Sequence, residues 1–388
     1  MNPNDVKLLI LWPRYEPGKK EFFKVFLENF DATIIFIAFG EKGRYINSGN
    51  TQTHIREDWV VDLEELEIYK EKGNIIFLNY PHFRASKFTI FQALTLLKSI
   101  YRIITGCNWD FVLFSTQAPL HSKIAYFICK LKNIRCGAKI ERWEDYQTKN
   151  PLMRLYQRLD KAIIKGVDVT FPHGKAAQAY CKKLSKNKPS LILPYIISDF
   201  GEPSYSETFQ KIVYCGAITA QKNPYGAVKS FLSSPVLRGR AKFVLAGEGP
   251  EMDKIRTLVN QHNDGDDVLF MGAYDPEELP EVLDEKSVYV LPSHKDGWSF
   301  ATLEAACLGR PLILSKRVGA HVDLLREGTN GYVVSDDNEN EITEAMEKII
   351  TCSPEKALDM QKASRRIFED HNKKERVISA IQEAITSS

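Results

Sequence analysis

Short apolar runs and amphipathic stretches alternate along this chain of 388 residues, and that alternation restricts the fold more than any other feature. Leu8 to Trp12 and Thr33 to Phe39 read as buried strands, and Glu21 to Phe30 between them has the apolar spacing of a helix. Ile75 to Leu78 and Phe111 to Phe114 are further strands, separated by a helical run from Phe88 to Ile104. Helices over Ser122 to Leu131 and Leu152 to Ile164, then strands over Val167 to Phe171 and Leu191 to Leu193, close this series. Strands that are apolar throughout are buried on both faces, as in a parallel sheet covered by helices. Pro194 to Gln210 is rich in Pro, Gly and Ser, and the alternation restarts beyond it, so the chain reads as two α/β domains. The tail after Ser353 is polar and helical, with Ser353 as cap and Pro354 in the first turn.

Charge divides along the same line. Residues 1–200 hold 30 Lys and Arg against 20 Asp and Glu, whereas residues 201–388 hold 22 against 30. The basic excess concentrates between Lys123 and Lys188, which points to an anionic partner on that half. No nucleic-acid motif accompanies the charge, so a membrane surface or a phosphate-bearing lipid is the expected partner. Seven scattered Cys with no CxxC pair argue against a disulfide framework or a zinc site, and for a reducing cytosol. No apolar run reaches membrane-spanning length, so any membrane contact is expected to be peripheral, on the inner face. Asp264-Gly265-Asp266 has a spacing seen at divalent-metal sites, but its Asn/Asp/Gly setting is turn chemistry, and no metal is expected there.

The chemistry concentrates in Asp296-Gly297-Trp298-Ser299-Phe300-Ala301-Thr302-Leu303-Glu304-Ala305-Ala306, followed by Gly309-Arg310-Pro311. A Gly/Trp/Ser turn runs into helix formers, Gly309 reads as the helix stop, and Leu312 to Leu314 reads as the next strand. A helix start offers backbone N–H groups to an anion such as a phosphate, here from Ser299, Phe300 and Ala301. Asp296 lies just outside that seat and Glu304 one turn inside, on a helix that should be largely buried. A phosphate seat flanked by two hydroxyl-accepting carboxylates suits a sugar nucleotide.

This segment resembles the signature of the retaining glycosyltransferases of family 4, which have the GT-B fold: Glu, seven residues, Glu, leading into a Leu-Glu-Ala helix. Here Asp296 stands for the first Glu and Glu304 for the second. Lys211 to Pro224 (KIVYCGAITAQKNP) is similar to the family's strand, Gly-Arg loop and Lys turn; Phe243 to Pro250 (FVLAGEGP), Val268 to Gly272 and Val288 to Ser293 follow in its order. The resemblance implies two Rossmann-like domains: residues 1–195 for the acceptor, joined by a C-terminal helix over 366–388, and residues 209–365 for the donor. It implies sugar transfer from a UDP or GDP type nucleotide sugar to a glycan or lipid-linked acceptor, with retention, without metal or other cofactor, in cell-surface polysaccharide or glycolipid synthesis.

Residue by residue, the resemblance implies that Glu304 holds the ribose, Asp296 the donor sugar, and Lys222 the diphosphate. On the residues themselves, Gly216 and Gly247 permit close backbone approach to the nucleotide, with Thr219 beside them, and Tyr274 either stacks near the base or packs half-buried. The family's Arg after the strand glycine is Ala217 here, so a second cation is expected from the loop after the first strand: Arg14, or failing that Lys19 or Lys20. Where many members carry a sugar-contacting His, this chain has Glu141 or Arg142; His173 reads as a satisfied loop residue. Two other readings stay open: a catalytically silent GT-B scaffold that binds a nucleotide sugar or a partner glycosyltransferase, and a sugar-nucleotide epimerase.

Overall fold

The computed structural model describes residues 6–13, 17–38, 45–46, 52–53, 74–80, 90–116, 120–145, 148–262 and 267–387. It divides into two compact units: residues 1–44, 54–197 and 373–388 form unit 1, and residues 45–53 with 198–372 form unit 2.

Unit 1 is built on six parallel strands: β1 (Lys7–Trp12), β2 (Asp31–Ala38), β3 (Ile75–Tyr80), β4 (Phe111–Ser115), β5 (Cys136–Ile140) and β6 (Val169–Pro172). They lie in the order β3-β2-β1-β4-β5-β6, the doubly wound arrangement in which strand order reverses beside the first strand. Sequence accounts for the central position of β1, because Leu8 to Trp12 are apolar without interruption and are all buried. Helix α1 (Lys20–Asn29) presses Phe22, Phe23 and Phe26 inward, where Phe22 and Phe23 meet Trp12 edge-on or tilted. Leu191 to Leu193 does not form the full strand that its composition suggests. It runs beside β6, with Leu191 N–H donating to Thr170 and Leu193 N–H to Pro172, and the bridge there pairs Thr170 with the preceding Ser190.

The remaining unit 1 helices are α2 (Ile90–Thr105), α3 (His121–Leu131), α4 (Pro151–Gly166) and α5 (Lys175–Leu184). Part of the basic span from Lys123 to Lys188 is buried or paired. Lys123 is buried against Asp160 at 2.8 Å, Lys139 is wholly buried beneath Tyr195, and Lys130 pairs with Asp168 at 2.9 Å. Burial among apolar groups holds the Lys139 amine well below its usual range.

Unit 2 repeats the plan with β7 (Lys211–Cys215), β8 (Lys242–Ala246), β9 (Val268–Gly272), β10 (Ser287–Leu291), β11 (Leu312–Ser315) and β12 (Gly331–Val334), in the order β9-β8-β7-β10-β11-β12. Its helices of eight residues or more are α6 (Pro224–Ser233), α7 (Met252–Gln261), α8 (Phe300–Cys307), α9 (Glu339–Ile350) and α10 (Pro354–His371). Ser353 caps α10 by accepting the Lys356 N–H, as its Ser-Pro start suggests. The Pro/Gly/Ser segment after Ile197 is tied to this unit by two arginines. Arg365 grips the Asp199 carboxylate with two bonds of 2.8 and 2.7 Å, and buried Arg310 donates to the carbonyls of Ser204 and Asp284.

Beyond α10 the chain returns to unit 1 as α11 (Lys374–Thr386), which packs on α1. Arg135 donates to the carbonyls of Ala384, Ile385 and Ser387, so one guanidinium closes the C-terminal end of α11.

Candidate functional site

Four loops at the C-terminal ends of β7, β8, β9 and β10 converge in unit 2, beside the point where its strand order reverses. The β7 and β8 loops are laced together: Gly216 N–H donates to Ala246, Ile218 N–H to Glu248, and Glu251 N–H back to Ile218. This spacing requires glycine. Gly247 has φ +133, and a Cβ there would overlap the Gly216 carbonyl. Gly216 has φ +142 and the opposite surroundings, since a Cβ on it would meet nothing within 4 Å. One glycine lets two loops touch, and the other keeps space open above the strand.

The β7 loop continues through Thr219 to Lys222 and Asn223. Asn223 adopts the left-handed conformation (φ +55), accepts the Gly226 N–H at 3.0 Å, and with Pro224 starts α6. Gln221 and His294 then stitch this turn to the β10 loop. The His294 N–H donates to the Gln221 carbonyl, and the Gln221 amide to the Lys295 carbonyl. As a result Lys222 reaches across 74 positions of sequence to form an ion pair with Asp296. Asp296 is only 4% exposed, and its backbone is pinned on both sides, by Arg317 and by Gly319.

Helix α8 starts at Ser299, whose hydroxyl accepts the Thr302 N–H at 3.2 Å. Its end is a Schellman turn: Gly309 (φ +73) donates to Ala306, and Arg310 to Ala305. Along α8, Phe300, Ala301 and Glu304 are half-buried, whereas Thr302, Leu303 and Ala305 to Cys307 are buried. Glu304 stands three and four residues beyond Ala301 and Phe300, which puts it on their face of the helix. Among the described residues no hydrogen-bond or ion-pair partner reaches the Glu304 carboxylate, and desolvation pushes its pKa up from 4.5 to about 7. The half-buried Tyr274 phenol lies by the Cys215 thiol and near Glu304, and burial raises both phenol and thiol.

Sequence reasoning missed the Lys222–Asp296 pair, although a shortened acid at 296 hinted at a change of local partner. It also missed the role of Gly249, where a Cβ would overlap the Ile218 carbonyl. Ala217 carries no charge into the site; its carbonyl accepts the Tyr214 hydroxyl at 2.8 Å. Arg14 and the Asp264-Gly265-Asp266 run lie outside the described residues. Lys19, the fallback cation, is 3% exposed in unit 1, set over the rings of Trp12 and Tyr195 and 3.8 Å from Glu141. Glu141 accepts the Tyr195 hydroxyl, and Arg142 pairs with Asp160 at 2.5 Å. His173 is buried, with Nδ1 3.1 Å from the Ile140 carbonyl, in keeping with a structural residue. Among the described residues no group of His, Cys, Asp and Glu is arranged to hold a metal ion.

Residues 198–367 match the family described as glycosyl transferases group 1. An uncharacterized glycosyltransferase of Methanocaldococcus jannaschii is 22% identical over 333 residues, covering 80% of this chain and 82% of that protein. The N-acetyl-alpha-D-glucosaminyl L-malate synthase of Bacillus anthracis is 30% identical over 132 residues, about a third of each chain. The crystal structure of Anabaena HepE in complex with UDP superimposes with a TM-score of 0.71 at 11% identity, covering 99% of this chain and 100% of that one. The fold is GT-B, with two Rossmann-like domains. Fold, family match and relatives together support a glycosyltransferase of the GT-B type.

Proposed function

We propose that the protein transfers a sugar from a nucleoside-diphosphate sugar to a glycan or lipid-linked acceptor, with retention of anomeric configuration, in cell-surface polysaccharide or glycolipid synthesis. The observation that carries this reading is the pair of carboxylates flanking the start of α8: among the described residues Glu304 has no hydrogen-bond donor, and Asp296 is paired with Lys222. A ribose supplies two hydroxyl donors to Glu304, which relieves a carboxylate that burial disfavours. The diphosphate sits over Gly216 and the first turn of α8, against the N–H groups there. Its charge draws Lys222 away from Asp296, and the released carboxylate accepts hydroxyls of the donor sugar. Binding nucleotide and binding sugar are thereby one event, because each of the two paired groups receives a new partner.

The acceptor hydroxyl attacks the anomeric carbon on the face that the diphosphate leaves. Its oxygen–carbon bond forms as the carbon–phosphate-oxygen bond breaks, and its proton passes to the departing phosphate oxygen. Lys222 and the α8 N–H groups stabilise the charge that develops there. With Ala217 in place of an arginine, Arg14 is the second cation of this reading. The donor is of UDP or GDP type, the acceptor meets the N-terminal domain, and the enzyme works in the cytoplasm, attached peripherally to an anionic membrane surface.

The test is a thermal-shift screen of nucleotide sugars followed by detection of transfer and of free nucleoside diphosphate. A ligand at a hundred times its Kd stabilises the native state by about 2.7 kcal/mol. No stabilisation by any nucleotide sugar refutes the site. Stabilisation without turnover leaves the silent scaffold, which the missing arginine favours.

A further inference from the structure

Helices α2 and α3 pack side by side in unit 1, and each turns an apolar row to solvent. On α2, Leu94, Leu97 and Tyr101 are 57%, 42% and 43% exposed, at spacings of three and four that put them on one face. On α3, Phe127 and Leu131 are 54% and 83% exposed, four apart. The two rows adjoin, because the amine of Lys132, just past α3, stands 5.6 Å over the Tyr101 ring. Single exposed apolar residues need no explanation, but five on two packed helices form a contact surface.

The charges carried by the two helices are of one sign. Neither helix contains a single Asp or Glu. Lys98 and Arg102 are exposed on α2, and among the described residues neither has a carboxylate partner. A protein partner of ordinary mixed charge does not call for this arrangement. A bilayer with anionic headgroups does: apolar and aromatic side chains enter the boundary of headgroups and acyl chains, and lysine or arginine stems beside them carry their charges up to the phosphates.

We propose that the exposed face of α2 and α3 is the membrane-docking surface of this protein, inserting its apolar rows into an anionic leaflet. The inference rests on the peripheral attachment proposed above and gives it a place and a mode. Attachment comes from shallow insertion guided by charge, rather than from the lysines of 123–188 acting as a diffuse field. No described helix is long and apolar enough to cross a membrane, so the contact is with one leaflet.

The experiment sediments the full chain with vesicles of phosphatidylcholine alone or with about a third phosphatidylglycerol, at low and raised salt. Wild type is expected to bind the anionic vesicles only. Leu97→Ser with Phe127→Ser is expected to lower binding at least tenfold at unchanged charge; both positions are exposed, and an unaltered melting temperature checks the fold. Lys98→Glu with Arg102→Glu is expected to abolish binding. A Phe127→Trp variant adds a direct readout, since lipids brominated on the acyl chains should quench its added emission. Anionic-vesicle binding that the Ser variants leave intact overturns insertion while sparing electrostatic attachment. Absence of binding to either vesicle overturns both without touching the sugar-transfer reading. A concentration-dependent dimer that the Ser variants abolish, with no vesicle binding, would make the face a protein interface instead.

Discussion

Replacing Glu304 by glutamine keeps the side chain's shape and removes its proton equilibrium, which isolates what ionisation costs the folded protein. In the native state the carboxyl titrates at about 7, against 4.5 when unfolded. Between those values the native state holds the proton that the unfolded state has already lost. Wild-type stability therefore declines as pH rises from 4.5 to about 7 and is flat beyond, relative to a variant with no such proton. At 1.36 kcal/mol per pH unit the full displacement corresponds to ~3 kcal/mol. Glu304 keeps part of its surface in water, so we expect about half of that, roughly 1–2 kcal/mol. Glu304→Gln should thus match wild type at pH 4.5 and exceed it by that amount at pH 8. Native-state hydrogen exchange of amides in β7 and β10 reads the opening of unit 2 alone, which avoids treating two units as one transition. Affinity should move oppositely. Hydroxyl donors favour the carboxylate, so nucleotide-sugar binding to wild type should strengthen as pH rises through 7 and then level off. Binding to Glu304→Gln should be weaker by roughly 1.5–3 kcal/mol and flat with pH. An exchange difference identical at pH 4.5 and pH 8 would refute the argument, because the displaced ionisation is its whole basis.

Lys222→Ala should destabilise unit 2 by roughly 1–3 kcal/mol, since it removes the cation paired with the buried Asp296 carboxylate; adding Asp296→Asn should restore part of that, and a strictly additive cycle would deny the coupling. Gly247→Ala should abolish folding of unit 2, because the new methyl overlaps a carbonyl. Gly216→Ala should cost only about 1 kcal/mol of backbone strain while sharply weakening nucleotide binding, which calorimetry separates from a melting curve. Arg14→Ala should slow transfer with nucleotide affinity nearly intact, whereas Lys222→Ala harms both; normal turnover in Arg14→Ala removes arginine 14 as the second cation.

Much of this molecule is written in local sequence. Continuous apolar runs become central strands, and Gly309 stops α8 where a left-handed residue is needed, so strand, helix and turn order follow from neighbours within a few residues. What escaped reading depends on approach between distant segments. Lys222 and Asp296 sit on separate loops, and only the lacing of those loops by Gln221 and His294 turns two expected ligand contacts into an ion pair. The titration of Glu304 is equally non-local, being set by what surrounds α8 rather than by the helix itself. Lysines mislead for a related reason. Composition counts Lys123 and Lys139 as surface charge, yet an aspartate from another helix and a tyrosine beyond β6 enclose them.

The return of α11 to unit 1 sets an order of events during synthesis. Residues up to 197 leave the ribosome first, but the helix that Arg135 closes and α1 packs against follows all of unit 2. At 5–20 residues per second the interval is roughly ten to thirty-five seconds, long against the folding of a small domain. Throughout that time unit 1 exposes the α1 surface that α11 will cover, while residues 198–372 of unit 2 emerge in one run, with residues 45–53 already out, and are free to fold. A nascent chain arrested after residue 372 has cleared the tunnel should accordingly resist protease in its second half before its first, reversing the usual N-to-C order of domain folding.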